Sequence, residues 1–217
     1  MKNTFDKGIA FICEGPTEKE FYLSLLEFFC EKYKAIMEKQ EVEDGTDIVY
    51  KIALQNRIYM IKFHSANAIS GIPKAGKWFE AECIKKYGVR NEWEVFLCYD
   101  TDNYKNEISQ FQEGDWKDLR GKLSKAKKVV DLAAAADIED VLLVDLSGIC
   151  KFIDAADITI DKLSGRKGSA KMKQLYRGCG KSYHKGERAR PMIDSLDKQK
   201  IIDSRILPLN ELEKVFM

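Results

Sequence analysis

The chain has 217 residues, of which 45% are hydrophobic and 33% are charged, and its net charge is +1. This composition excludes a disordered or low-complexity protein, and the length suits one domain with a modest appendage. The longest apolar runs are only as long as strands, so we expect no membrane span, no signal peptide and a cytoplasmic location.

The first third of the chain predicts a strand, a helix and a hairpin. Residues 8–13 are a continuous apolar run, which is typical of a strand buried on both faces. Thr17 and Glu20 have the spacing of a capping box, and aromatic residues then recur at helical spacing, which predicts a helix from about Thr17 to about Glu38. A polar turn at 41–47 precedes two alternating segments, 48–54 and 58–64, which predict paired strands.

The rest of the chain continues to alternate between helical and strand patterns. It predicts helices at 77–87, 116–137 and 149–155, buried strands at 93–99 and 141–144, and two weak helical segments around Pro208. We therefore predict an α/β fold with a mainly parallel central sheet and helices on both faces. We assign residues 1–150 to this domain and residues 151–217 to a small, basic, helical C-terminal extension packed on it.

The basic charge is concentrated in one segment. Residues 165–190 contain nine Lys or Arg and a single acid, Glu187, for a net charge of +8, which leaves −7 for the rest of the chain. This asymmetry indicates a polyanionic partner, and we predict contact with DNA or RNA. The predicted nucleic-acid-binding residues are Arg166, Lys167, Lys171, Lys173, Arg177, Lys181, Lys185 and Arg188. Tyr176 and Tyr183 could stack on bases, and the alternative is a solvated helical face.

Acidic residues follow each predicted buried strand: Glu14, then Asp100 and Asp102, then Asp145. Carboxyl ends of parallel strands meet at one edge of a sheet, where ligands of open α/β folds bind. Carboxylates brought together repel one another, and a hard divalent cation relieves the repulsion. Because only two histidines are present and no cysteines have CxxC spacing, Mg²⁺ or Mn²⁺ is favoured over zinc. The alternative is a solvated turn at the strand end.

The strand followed by Glu14-Gly15-x-Thr17-Glu18 and a long helix, with a later strand followed by Asp100-x-Asp102, resembles the TOPRIM domain. The motif and the Lys- and Tyr-rich C-terminal third are most similar to the RloB-like and OLD-type nuclease branch. The resemblance implies a Rossmann-like fold and a Mg²⁺- or Mn²⁺-dependent nuclease or phosphotransferase that cleaves phosphodiesters in defence against phage or foreign DNA.

The same resemblance implies roles for four residues. Glu14 would be the general acid or base and help to hold metal, Asp100 and Asp102 would be the metal-binding catalytic pair, and Glu18 would be a second metal-binding acid. Asp145 stays outside this set, since Leu146-Ser147-Gly148 replaces the expected Asn-Pro-x-x-Glu segment. Two alternatives remain open: a non-catalytic nucleic-acid-binding protein with a TOPRIM-like core, and nucleotide binding through the P-loop-like residues 71–77, where Trp78 replaces the expected Ser or Thr.

Overall fold

The computed structural model describes residues 5–40, 49–88, 92–102, 104–105 and 108–217. In this part of the chain, strands form one sheet in the order β2-β3-β4-β1-β5-β6. The strands are β1 (Lys7–Cys13), β2 (Ile36–Gln40), β3 (Val49–Leu54), β4 (Arg57–Ser65), β5 (Glu92–Asp100) and β6 (Lys128–Ala134). The predicted turn at 41–47 and the predicted first strand residue, Ile48, lie outside the described residues.

The sheet is mostly parallel. β1 lies between β4 and β5 and is parallel to both, and β5 is parallel to β6, whereas β2, β3 and β4 form an antiparallel meander. The predicted α/β class, the mostly parallel sheet and the β3–β4 hairpin are therefore confirmed. The arrangement is consistent with a Rossmann-like fold, and the TOPRIM assignment stays a prediction.

Helices cover both faces of the sheet. They are α1 (Pro16–Tyr33), α2 (Ala75–Trp78, continued by π-helical turns over Phe79–Lys85), α3 (Asp115–Lys122), α4 (Ile138–Leu142), α5 (Leu146–Phe152), α6 (Gly168–Gly178), α7 (Arg190–Ser195), α8 (Lys198–Asp203) and α9 (Asn210–Glu213). None of the described helices is long and apolar enough to cross a bilayer.

Alternation along the central strands divides the core into two clusters. Phe11 of β1 packs with α1 and with the C-terminal helices, whereas its neighbour Ile12 packs with α2 and α3 on the opposite face. Successive side chains of a strand point to opposite faces, so a continuous apolar run supplies both clusters. Phe216 near the C-terminus packs against Phe29 of α1 with ring centroids 5.4 Å apart, so the C-terminal segment shares the core of the α1 face. The division at residue 150 stays a prediction.

Two adjacent predictions in the middle of the chain are wrong. The predicted helix at 116–137 is α3 followed by strand β6, and the predicted strand at 141–144 falls on α4 and the turn that follows it. The Ala-rich end of β6 has high helix propensity, but pairing along β5 decides its conformation. A four-residue apolar run does not distinguish a buried strand from a buried helix, and Asp137 caps the helix here.

The boundaries of α1 also differ from the prediction. Pro16 begins the helix, because a first-turn residue needs no N–H donor, so Thr17 is not the N-cap. The helix ends at Tyr33, and Lys34 takes a left-handed conformation with φ 57°. Ile36 then enters the edge strand β2 although it has helical spacing.

Candidate functional site

Glu14 and Asp100 meet at the carboxyl edge of the sheet, as the sequence predicts. The Glu14 backbone N–H donates to the Cys98 carbonyl over 2.8 Å, and the Asp100 N–H donates to Glu14 Oε2 over 2.9 Å. Because β1 and β5 are parallel neighbours in register, with Cys13 opposite Cys98, the residues that follow them are held side by side. The backbone thus fixes the position of the Glu14 carboxylate.

Asp100 is the least satisfied carboxyl of this edge. Its side chain is buried, with 7% of the residue exposed, and Oδ1 has no hydrogen-bond partner. Burial raises the pKa of Asp100 to about 9, and the nearby charges of Glu18 and Glu14 add to this effect. Asp100 is therefore protonated at neutral pH and carries a proton that it can donate.

Burial also affects the carboxyls of Glu18 and Glu14. Glu18 lies in the first turn of α1, and its burial raises its pKa to about 7, with a contribution from the charge of Glu14. Burial also raises the pKa of Glu14, but the hydrogen bond from the Asp100 backbone and the charge of Lys185 oppose the rise. The three carboxyls thus differ in proton affinity, and Asp100 holds its proton more tightly than Glu18.

Asp102 lies beyond the end of the strand, although its charge still acts on Glu14 and raises the pKa of that carboxyl. β5 ends at Asp100, and Asp102 has a left-handed φ of 60°, so the alternation that would place both aspartates on one strand face does not extend to Asp102. The exposed Asp102 Oδ1 accepts a hydrogen bond from Lys167 Nζ over 2.6 Å. The predicted Asp100/Asp102 pair is consequently not formed by the strand geometry.

The third strand end contributes acids that the sequence analysis missed. β6 ends at Ala134, beside Asp100, and is followed by Asp137, Glu139 and Asp140 at the start of α4. The charges of Glu139 and Asp137 act on Asp100 and raise its pKa further. We call Glu14, Glu18, Asp100, Asp137 and Glu139 the acid cluster. The signal was the β-branched pair Val129-Val130 and the Asp-x-Glu-Asp segment at 137–140 that follows the alanines.

Glu139 is fully buried and paired. Its carboxylate accepts a hydrogen bond from the Tyr183 hydroxyl over 3.0 Å and one from Lys185 Nζ over 3.1 Å. Asp137 and Asp140 accept hydrogen bonds from the Ser169 and Gly168 backbone N–H groups, over 3.0 and 2.9 Å, at the start of α6. The basic segment is thus fastened to the acid cluster by its own backbone and by its lysines.

Half of the predicted nucleic-acid-binding residues are engaged within the protein. Lys167, Lys171, Lys181 and Lys185 form ion pairs with Asp102, Asp140, Asp154 and Glu139, respectively. The remaining four are exposed and, within the described residues, make no ion pair: Arg166, Lys173, Arg177 and Arg188. Tyr176 is buried against Tyr183, and Tyr183 bonds Glu139, so neither ring is free to stack on a base.

Asp145 lies at a different place from the acid cluster. It is the N-cap of α5, and it accepts hydrogen bonds from Lys200 Nζ and from the Asp197 backbone, both over 2.9 Å. Its role is structural, and the predicted third strand-end acid is wrong because no strand precedes it. The P-loop-like residues form a 3₁₀ turn, Ile69–Lys74, followed by α2, in place of an open phosphate loop.

The predicted metal ligands do not fit a metal ion in this arrangement. Glu14 accepts from a backbone N–H, and Asp102 is paired with Lys167. Across the ranges that the structure describes, no group of three or more Asp, Glu, His or Cys side chains is placed to hold a metal ion. The Mg²⁺ or Mn²⁺ cofactor stays a prediction.

No protein-family model matches the chain, and no curated protein sequence matches it. Solved structures that it resembles include the native futalosine hydrolase of Helicobacter pylori, with 7% identity, a TM-score of 0.34 and coverage of 99% of this chain and 100% of that one. The 5′-methylthioadenosine/S-adenosylhomocysteine nucleosidase of Helicobacter pylori has 9% identity, a TM-score of 0.31 and the same coverage.

These comparisons contradict the predicted function. The neighbours are nucleoside-cleaving enzymes and not TOPRIM nucleases, so the prediction of a Mg²⁺-dependent nuclease in defence is wrong. At TM-scores of 0.34 and 0.31, the neighbours' activity is not transferred to this chain.

Proposed function

We propose that the protein is an enzyme that uses the carboxyls of the acid cluster for acid–base catalysis, with Asp100 as proton donor and Glu14 as proton acceptor. The observation that carries the proposal is the buried, unpartnered Asp100 Oδ1 beside a Glu14 carboxylate held by the Asp100 backbone. An unsatisfied buried polar atom is costly, and such atoms in a folded protein are often explained by catalysis or by a missing ligand.

Two carboxyls in unlike environments are suited to the cleavage of a bond by water. The protonated carboxyl donates its proton to the leaving atom, while the ionised carboxylate accepts a proton from the attacking water. Their positions on neighbouring strands of a rigid sheet hold the donor and the acceptor in a fixed relation. Lys185 lies near Glu14 and favours its ionised form.

The experiment is a hydrolysis screen in EDTA with chromogenic glycosides, nucleosides and esters as substrates. We expect cleavage of at least one class that is lost in Asp100→Asn and Glu14→Gln but retained in Asp115→Asn, an exposed acid of α3 on the opposite face. Carbon-13 NMR of the carboxyls provides a readout that needs no substrate. Asp100→Asn with wild-type turnover, or an Asp100 carboxyl that titrates below pH 5, would contradict the proposal.

We also propose nucleic acid as a partner of the exposed basic residues. What supports this is the outer side of α6, where Lys173 and Arg177 are one helical turn apart, exposed, and without an acidic partner among the described residues. Like charges at this spacing repel each other, and a polyanion relieves the repulsion.

A further inference from the structure

Two lysines of the basic segment reach back to the carboxyl edge of the sheet from opposite ends of α6. Lys167 precedes the helix and bonds Asp102 over 2.6 Å, and Lys185 follows it and lies 2.9 Å from Glu139 Oε1. The Gly186 N–H donates to Thr17 Oγ1 over 2.9 Å, which ties the second lysine's loop to the start of α1.

Both lysines act electrostatically on the same carboxyls. Burial raises the pKa of Glu14, and the charges of Lys185 and Lys167 each lower it. The hydrogen bond to Asp102 raises the pKa of Lys167, and the charges of Asp137 and Asp100 add to it. Burial would lower the pKa of Lys185, but the charges of Glu139, Asp137 and Asp100 raise it. The charge of Asp137 thus acts on both lysines, and both lysine charges act on Glu14.

Asp100 is coupled to the charges of Lys167 and Lys185, but the ion pairs of these lysines are with Asp102 and Glu139. Its Oδ1 is buried and accepts no hydrogen bond, and the charge of ionised Asp100 raises the pKa of both lysines. Two ammonium groups carry the same charge as one divalent cation, and each fits a carboxylate as a point charge. Among the described residues, no three or more Asp, Glu, His or Cys side chains are placed to hold a metal ion.

We propose that Lys167 and Lys185 are built-in counter-ions of the acid cluster, in the place where the sequence pattern predicts a divalent cation. Without them, the uncompensated carboxylates of the acid cluster attract such a cation, and Asp100 joins its ligands by releasing its proton. This inference concerns the charge balance of the cluster and holds whether or not the carboxyls catalyse a reaction.

The test is Mn²⁺ binding to the full chain, measured by calorimetry and by electron paramagnetic resonance. We expect the Lys167→Met/Lys185→Met variant to bind Mn²⁺ about tenfold more tightly than the wild type, with each single variant between them. The matched control is Lys117→Met, which removes an exposed α3 lysine without an ion pair in the described structure and should leave Mn²⁺ binding unchanged. Adding Asp100→Asn to the double variant should abolish the gain.

Two results would overturn the inference. One is a wild type that binds Mn²⁺ as tightly as the double variant, and the other is a double variant that is folded by circular dichroism but gains no Mn²⁺ affinity. If the double variant does not fold, the single variant Lys167→Met provides the test. Lys167 pairs with the exposed carboxylate of Asp102, so its removal leaves no buried charge unpaired. Binding about threefold tighter than the wild type is then expected, and equal binding overturns the inference.

Discussion

Lys185 Nζ lies 2.9 Å from Oε1 of Glu139, a carboxylate whose side chain has no exposed surface. A charge buried to this degree is tolerated only when it is paired and hydrogen-bonded, and the Tyr183 hydroxyl completes the arrangement. The pair joins α4 to the loop after α6, so it connects the acid cluster to the basic segment. Several measurable consequences depend on this connection and on the buried acids beside it.

Glu139→Gln should destabilise the protein. The substitution keeps the shape of the side chain but removes its charge, which leaves Lys185 without its counter-ion and the Tyr183 hydroxyl with a weaker acceptor. We expect the free energy of unfolding to fall by about 2 kcal/mol, less than for a fully buried pair because half of the Lys185 side chain is exposed. Urea denaturation measures this. Glu80→Gln, which breaks the more exposed pair with Lys125, is the control and should change stability little.

Stability should decrease from pH 6 to pH 9 because of Asp100. Its pKa is about 9 in the folded protein against a reference value of 3.8, so the folded state favours the protonated form. The corresponding stabilisation is complete below the unfolded pKa and is lost as pH rises through the folded pKa. Asp100→Asn removes this dependence, and the melting temperature of the wild type should fall relative to the variant by on the order of 5–10 °C over this range.

Melting curves of the wild type and of Asp100→Asn at pH 6, 7, 8 and 9 measure this difference. Asp115→Asn is the control, and it should follow the wild-type pH dependence because Asp115 is exposed on α3. Parallel curves for the wild type and Asp100→Asn would show that Asp100 titrates at an ordinary pKa, which would contradict the described burial.

Gly168→Ala should disturb the contact between α6 and α4. A Cβ atom at this position would lie 2.3 Å from the Asp140 backbone nitrogen and 2.6 Å from the Glu139 carbonyl carbon, and backbone atoms cannot move aside cheaply. We expect a loss of about 1–3 kcal/mol in the free energy of unfolding. Gly178→Ala at the other end of the same helix meets nothing within 4 Å and should be neutral or slightly stabilising. Equal effects of the two substitutions would count against the close α4–α6 packing.

Nucleic-acid binding should depend on the unpaired cations of α6. We expect Lys173→Gln/Arg177→Gln to weaken binding of a labelled single-stranded RNA and to reduce the slope of log affinity against log salt by about 1.4, or about 0.7 for each phosphate contact. Fluorescence anisotropy at increasing salt measures both quantities. Lys125→Gln on the opposite face, whose lysine is paired with Glu80, should bind as the wild type does. A slope that does not change would exclude these two residues as phosphate contacts.

The order of the sequence patterns was the basis for expecting Glu14 and Asp100 at one edge of the sheet. Apolar runs at 8–13 and 93–99 indicate strands buried on both faces, and the acids that follow them meet if those strands are parallel neighbours. The pairing of β1 with β5 meets this condition. The β3–β4 hairpin followed from the local alternation of apolar and polar residues.

Only the tertiary structure decided which other groups join them. The alanine-rich end of β6 is a strand because it pairs with β5, and this pairing brings Asp137 and Glu139 to the edge while Asp145 caps a helix elsewhere. Lys167 pairs with Asp102 and Lys185 with Glu139, across 65 and 46 residues of chain, respectively. Ion pairs over such separations depend on how the helices pack, and no short-range pattern of residues encodes that packing.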